Sequence, residues 1–281
     1  MKALETLRRE YIASDRLGEV CHWASNTVGN ESLEAERLLR EAIEKSLHPK
    51  VRGWACFSLA ELLESRADMV RDVDKLPPAY RNWIGEVALE RLTSRTADDL
   101  FGESEALYGR IAKTYPDLEH SRTSKPLGAV AEGRAYRLRN LAIGRAVPEI
   151  EGVDVDGKPL KLSDHRGKVI VLTFSGIWCS SCHDLYPQQR ELLKRHKGRP
   201  FAVLSVDTDE DEAPLRKAIE SGEIAWPCWW DGGVGGPITV RCGIYYFPTV
   251  FVIDRKGVVR YKDIQGPHLD EAVEALLKEG S

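Results

Sequence analysis

The sequence predicts a two-part chain: an all-α helical-hairpin domain over residues 1–143, then an α/β sandwich over 144–281 with a central mixed sheet flanked by helices. Three observations predict it. Apolar residues recur at helical spacing up to about Ala142. Near Gly144 the pattern changes to short apolar runs that alternate with helical stretches. The length, 281 residues, accommodates about two domains.

In the first part, Leu33, Leu38, Leu39, Ala42, Ile43 and Leu47 mark one helix, with Ser32 as its cap and His48-Pro49 at its end. Trp54, Phe57, Leu59, Ala60, Leu62 and Leu63 mark a second. Pro77-Pro78 punctuates a turn, and a further helix is expected from about Trp83 to Leu92. A last pair spans about Glu103–Tyr115 and Leu127–Leu141. The stretches Ala35–Leu63 and Glu105–Leu138 read as two copies of one helix–turn–helix unit. They weakly resemble tetratricopeptide repeats, although the full repeat signature is absent; an irregular helical bundle is the plainer reading.

In the second part, Val153–Val155 and Pro159–Leu162 flank the turn signal Asp156-Gly157-Lys158 and read as a hairpin. Lys168–Phe174 (KVIVLTF) and Phe201–Asp207 (FAVLSVD) are continuous apolar runs, as expected of strands buried on both faces. A helix is expected at about Ser181–His196 and another at Glu212–Ser221, then a strand-like piece at Ile224–Trp230. A glycine loop (Gly232–Gly236) leads into a short helix ending at Cys242. The strands PTVFVID and VVRYKDI, turning at Asp254–Gly257, and a helix at Leu269–Lys278 complete the pattern.

Composition excludes several classes. The 40 Lys+Arg and 44 Asp+Glu leave a net charge of −4, so nothing favours nucleic acid or an anionic membrane surface as partner. No stretch reaches the roughly 18 apolar residues of a transmembrane span. The first twenty residues carry charges throughout and lack an apolar h-region, so no leader peptide is expected within them. Six cysteines are too few for a disulfide scaffold, so their placement matters more than their number.

The sharpest feature is Trp178-Cys179-Ser180-Ser181-Cys182, at the end of a buried strand and the start of a helix. Two cysteines at i and i+3 across a helix start lie close enough to form a disulfide. The first sits at the positive end of the helix dipole, which favours a thiolate. Cys179 is then the exposed, attacking sulfur and Cys182 the resolving one. Zinc uses the same spacing but needs a second ligand pair, and Cys228 and Cys242 stand fourteen apart, so no metal is expected. His183 completes the c-type haem pattern C-x-x-C-H, yet the only methionines, Met1 and Met69, lie far outside this segment.

Together, VIVLTFSGIWCSSCHDLYP, the preceding SDHRGK and the downstream YYFPTVFVID resemble the thioredoxin superfamily. The subset they resemble is the TlpA/ResA-like thiol–disulfide oxidoreductases, also labelled redoxin or AhpC/TSA-type; the likeness covers about Val147–Lys278. The resemblance implies a thioredoxin-like sandwich and a redox-active disulfide, Cys179–Cys182, in place of any cofactor. It makes Trp178 the tryptophan before the pair, Pro187 the proline that kinks the active-site helix, and Pro248 the cis-proline. Phe247 and Thr249 beside it would meet the substrate. It further implies protein dithiol or disulfide substrates, an electron donor, and work in the cell envelope or periplasm after loss of a leader, with the cytoplasm as the alternative. Two departures stand out. Thr173 occupies the position of thioredoxin's buried aspartate, which leaves Glu210, then Asp209, as the nearest match for a proton-relaying acid, with His183 as a second relay candidate. Ser180-Ser181 replaces the Gly-Pro or Glu-Pro common in the family.

Two other function classes stay open at this level. The chain could be an interaction protein whose helical domain binds partners and whose C-x-x-C is structural or regulatory. A thiol peroxidase would need Thr three residues before its cysteine, where Cys179 has Gly176. Cys21 and Cys56 read as buried free thiols. Cys228 and Cys242 read as two more, or as a second disulfide.

Overall fold

A computed structural model describes residues 2–21, 32–71, 73, 86–119 and 125–279. The chain divides into two compact units, residues 1–135 and 136–281, so the division falls eight residues before the expected one, inside a helix. The turn at Pro77-Pro78 and the start of the expected helix at Trp83 lie outside the described residues.

The first unit contains α1 (Lys2–Glu10), α2 (Leu33–Lys45), α3 (Pro49–Arg71), α4 (Glu86–Leu92), α5 (Ala97–Thr114) and most of α6 (Leu127–Asn140). Ser32 caps α2 by accepting the Ala35 amide, and Pro49 ends the intervening turn by opening α3, where its missing N–H goes unneeded. Between α3 and α5, Phe57 meets Tyr108 edge to face at 5.7 Å. Ser104 Oγ donates to the carbonyl of Ala60, and the Tyr108 hydroxyl to Glu64. Arg40 joins Glu36 of its own helix to Glu103 of α5.

The second unit begins with a hairpin, β1 (Glu151–Val153) and β2 (Pro159–Lys161). Asp154 closes its turn by accepting the amides of Asp156 and Lys158, and Gly157 adopts φ +75°. The main sheet runs β5 (Cys228–Trp230), β4 (Phe201–Asp207), β3 (Val169–Ser175), β6 (Thr249–Ile253), β7 (Val259–Lys262). β3, β4 and β5 are parallel; β6 is antiparallel to β3, and β7 is antiparallel to β6. Residues 144–147 hydrogen-bond to Gly257 and Val259 and so cover the start of the outer edge of β7.

Period-two alternation divides the core. Val169, Val171, Phe201, Val203, Val250 and Val252 face one layer, built on α8 (Leu185–Arg195), α9 (Glu212–Glu220) and α11 (Pro267–Lys278). Ile170, Leu172, Phe174, Leu204, Val206 and Phe251 face the other, which includes α10 (Pro237–Arg241). This is the expected mixed sheet with helices on both faces.

Two elements differ from expectation. The helix expected over 181–196 is broken into α7 (Ser180–His183) and α8. Pro187 has no N–H to offer the His183 carbonyl four residues back, so the ladder fails there. The strand expected from Ile224 is confined to Cys228–Trp230, because Pro227 cannot donate to the ladder.

Candidate active site

The redox pair lies where the chain leaves β3. Cys179 and Cys182 form a disulfide with Cα atoms 5.3 Å apart. Cys179 is 5% exposed and Cys182 fully buried, so the sulfur expected to be exposed belongs to a nearly covered residue, and of the two only Cys179 keeps any accessible surface. Cys179 caps the four-residue helix α7. The Ser181 hydroxyl sits 3.5 Å from Cys179 Sγ; because that sulfur is in a disulfide, the hydroxyl is the donor.

The approach to Cys179 is aromatic. Trp178 is 53% exposed, anchored by its indole N–H to the carbonyl and hydroxyl of Thr208. Gly176 makes room for it, since a Cβ there would collide with the indole. Trp178 packs edge to face on Phe247 at 5.4 Å. The Phe247–Pro248 bond is cis, as the resemblance implies. Thr249 is fully buried, and its hydroxyl donates to the Tyr246 carbonyl. Its side chain therefore shapes the loop from within, while Phe247 is the residue facing the rim.

Beneath the pair lies a buried polar layer. Thr173, at the position of the expected acid, accepts the Gln189 side-chain amide at 2.6 Å and holds α8 to β3. The acids come from the end of β4. The carboxylate of Asp209 accepts the amides of Ile177 and Trp178, the two residues before Cys179. Asp207 continues the inward face of Phe201 and Val203, the face shared with Cys179 and Cys182. Its Oδ1 accepts the Asp209 amide, and its Oδ2 has no partner among the described residues. Burial, reinforced by the charge of Asp209, raises the Asp207 carboxyl well above the ordinary carboxylate range.

Glu210 is not brought to the pair: it is exposed, its Cγ over the glycine loop at Gly233. His183 is brought to the pair's segment, with its ring against Ile177, Glu223 and Tyr186. Sequence reasoning ranked Asp209 below Glu210 and passed over Asp207. FAVLSVD is apolar and buried on both faces, so only the packing of the face shared with Phe201 and Val203 shows where Asp207 points.

Cys228 and Cys242 are both free and buried, on opposite faces of the sheet, which rules out a disulfide between them. Cys21 and Cys56 are likewise free and buried. No group of three or more His, Cys, Asp or Glu suited to a metal occurs among the described residues.

A C-x-x-C disulfide at the strand-to-helix turn of this sandwich, with a cis-proline loop packed beside it, defines a thioredoxin-fold dithiol–disulfide protein. Comparison with known proteins agrees. The model of the AhpC/TSA family matches residues 143–262. Thiol–disulfide oxidoreductase ResA of Bacillus thuringiensis subsp. konkukian is 29% identical over 147 residues, 52% of this chain and 83% of that protein. ResA of Bacillus anthracis is 30% identical over 138 residues, 49% of this chain and 78% of that protein. Among solved structures, the thioredoxin domain of a thiol–disulfide oxidoreductase from Bacteroides vulgatus aligns with 28% identity and a TM-score of 0.44, over 49% of this chain and 99% of that one. The chain belongs to the AhpC/TSA family, among its ResA-like members, and is a thiol–disulfide oxidoreductase.

Proposed function

We propose that the chain exchanges disulfides with protein substrates, Cys179 attacking and Cys182 resolving. One observation supports the assignment of roles: of the two linked cysteines, only Cys179 keeps any accessible surface, 5% against none for Cys182, and the exposed Trp178, next to it in the chain, packs on the half-buried Phe247. An extended partner segment would lie along those two rings and the Pro248 loop.

In the reducing direction, the Cys179 thiolate attacks a substrate disulfide. One substrate sulfur leaves as thiolate and a mixed disulfide forms. The Cys182 thiol then loses its proton and attacks Cys179 Sγ; Asp207, buried on the same sheet face, accepts that proton once its own raised carboxyl is ionised. The Cys179–Cys182 bond forms, and the second substrate sulfur leaves and takes a proton from solvent. The substrate gains two electrons and the pair loses two, so a dithiol donor must restore it. No cofactor enters these steps. The reverse sequence would oxidise a dithiol. We place this work in the cell envelope, following the family resemblance; no helix among the described residues is long and apolar enough to cross a membrane.

The test is Cys182→Ser, which leaves mixed disulfides unresolved. Clients should accumulate on Cys179 as adducts released by dithiothreitol. An extract that yields no such adducts, while the wild-type protein reduces no insulin, would overturn the protein-substrate reading.

A further inference from the structure

The segment Ile177–His183 carries the redox pair, and the side chain of His183 ties its two ends together. His183 Nε2 lies 2.9 Å from the Ile177 carbonyl oxygen, and Nδ1 lies 3.2 Å from Glu223 Oε1. The ring meets Tyr186 edge to face at 5.4 Å. Both polar partners accept hydrogen bonds. A neutral imidazole has one N–H and would turn a lone pair toward the other acceptor; an imidazolium satisfies both. Glu223 is itself held, because Arg190 donates to its backbone carbonyl at 2.7 Å.

Resting on the assignment of Cys179 as nucleophile, we propose that His183, held as an imidazolium by Glu223, is a positioning residue for Cys179. It fixes the backbone two residues before the nucleophile. From i+4, one helical turn away, it also supplies positive charge that favours the thiolate.

The charged and titratable neighbours are consistent with this. Asp184 on the same segment and Glu223 across from it are both negative, Tyr186 is neutral, and the Arg190 guanidinium is directed to the Glu223 carbonyl. The imidazole is raised above its ordinary value, first by the Ile177 carbonyl and then by Glu223. Because the ring is 40% exposed, water screens the charge and the effect on Cys179 is modest. Ile177 and His183 flank the pair, so the contact also ties the end of α7 to the loop whose amides Asp209 accepts.

The test is alkylation of the reduced protein by iodoacetamide from pH 5 to 9, with peptide mapping, beside 15N NMR of the His183 ring. In the wild type the label goes to Cys179. His183→Gln keeps a donor for Ile177 but loses the charge. It should slow labelling about 3- to 10-fold near pH 6, equivalent to raising the Cys179 pKa by roughly 0.5–1 unit. Above the thiol pKa the variant should match or exceed the wild type, because a more basic thiolate is the better nucleophile. Structural damage would instead slow it at every pH. Glu223→Gln should lower the pH at which the His183 ring titrates and give an intermediate alkylation profile. Superimposable profiles for wild type and His183→Gln would overturn the proposal, as would a wild-type ring titrating at or below the ordinary histidine value. Label on Cys182 instead would overturn the underlying assignment of the nucleophile, and the map distinguishes that failure from the others.

Discussion

Asp209 holds the backbone that delivers Cys179: its Oδ2 accepts the Ile177 amide at 2.6 Å and its Oδ1 the Trp178 amide at 3.3 Å. Asp209→Ala leaves both amides without their acceptor in a part-buried loop. We expect a loss of about 1–3 kcal/mol, read as a lower urea midpoint, and slower insulin reduction. Asp209→Asn, which keeps one acceptor oxygen, should fall between.

The Ser181 hydroxyl reaches Cys179 Sγ at 3.5 Å and can stabilise the thiolate after reduction. Removing it with Ser181→Ala should make the pair less oxidising. One hydrogen bond of about 0.5–1.5 kcal/mol corresponds to a fall of roughly 10–30 mV in reduction potential. Equilibration with dithiothreitol or glutathione buffers measures it. A rise in potential would show that the hydroxyl favours the disulfide.

Burial raises the Asp207 carboxyl, so the folded protein binds its proton more tightly than the unfolded chain. Between the ordinary carboxylate pKa and the raised folded value, stability should therefore fall as pH rises. Asp207→Asn removes that slope. At pH 8 it should be more stable than the wild type by at least about 1 kcal/mol, roughly one pK unit, with the advantage shrinking toward pH 4. Urea midpoints at the two pH values test this.

Burial pushes the Cys242 thiol up to about 12 and raises those of Cys228, Cys21 and Cys56 as well. After mild reduction of the native protein, a maleimide should label Cys179 alone. These four should react only after unfolding. Rapid native labelling of Cys228 or Cys242 would contradict the packing of the two sheet faces.

Much of this was legible in the sequence. β4 spans Phe201–Asp207, as the continuous apolar run indicated, and β3 lies one residue from its expected position. The redox motif was readable because cysteine spacing is a local signal, and the loop at Pro248 because its residues resemble those of the family. The rest depended on tertiary contacts. Whether Asp209 or Glu210 turns inward is decided by the amides of Ile177 and Trp178, more than thirty residues earlier in the chain. Alternation puts Asp207 on the same face as Phe201 and Val203, but β4 is buried on both faces, so what that face meets depended on the helices packed there. Thr249 was expected to meet substrate from the family resemblance; in the fold it is fully buried and its hydroxyl donates to the Tyr246 carbonyl instead. The partnership of His183 with Glu223, forty residues apart, has no sequence signature.

The most direct test of the central claim is a redox titration of the Cys179–Cys182 pair, followed by thiol labelling and Trp178 fluorescence. The account predicts one two-electron transition between roughly −120 and −270 mV, the span of pairs that exchange with protein thiols, lost in Cys179→Ser together with insulin reduction. A pair that stays oxidised below about −300 mV would be a structural disulfide, and that result would contradict the account.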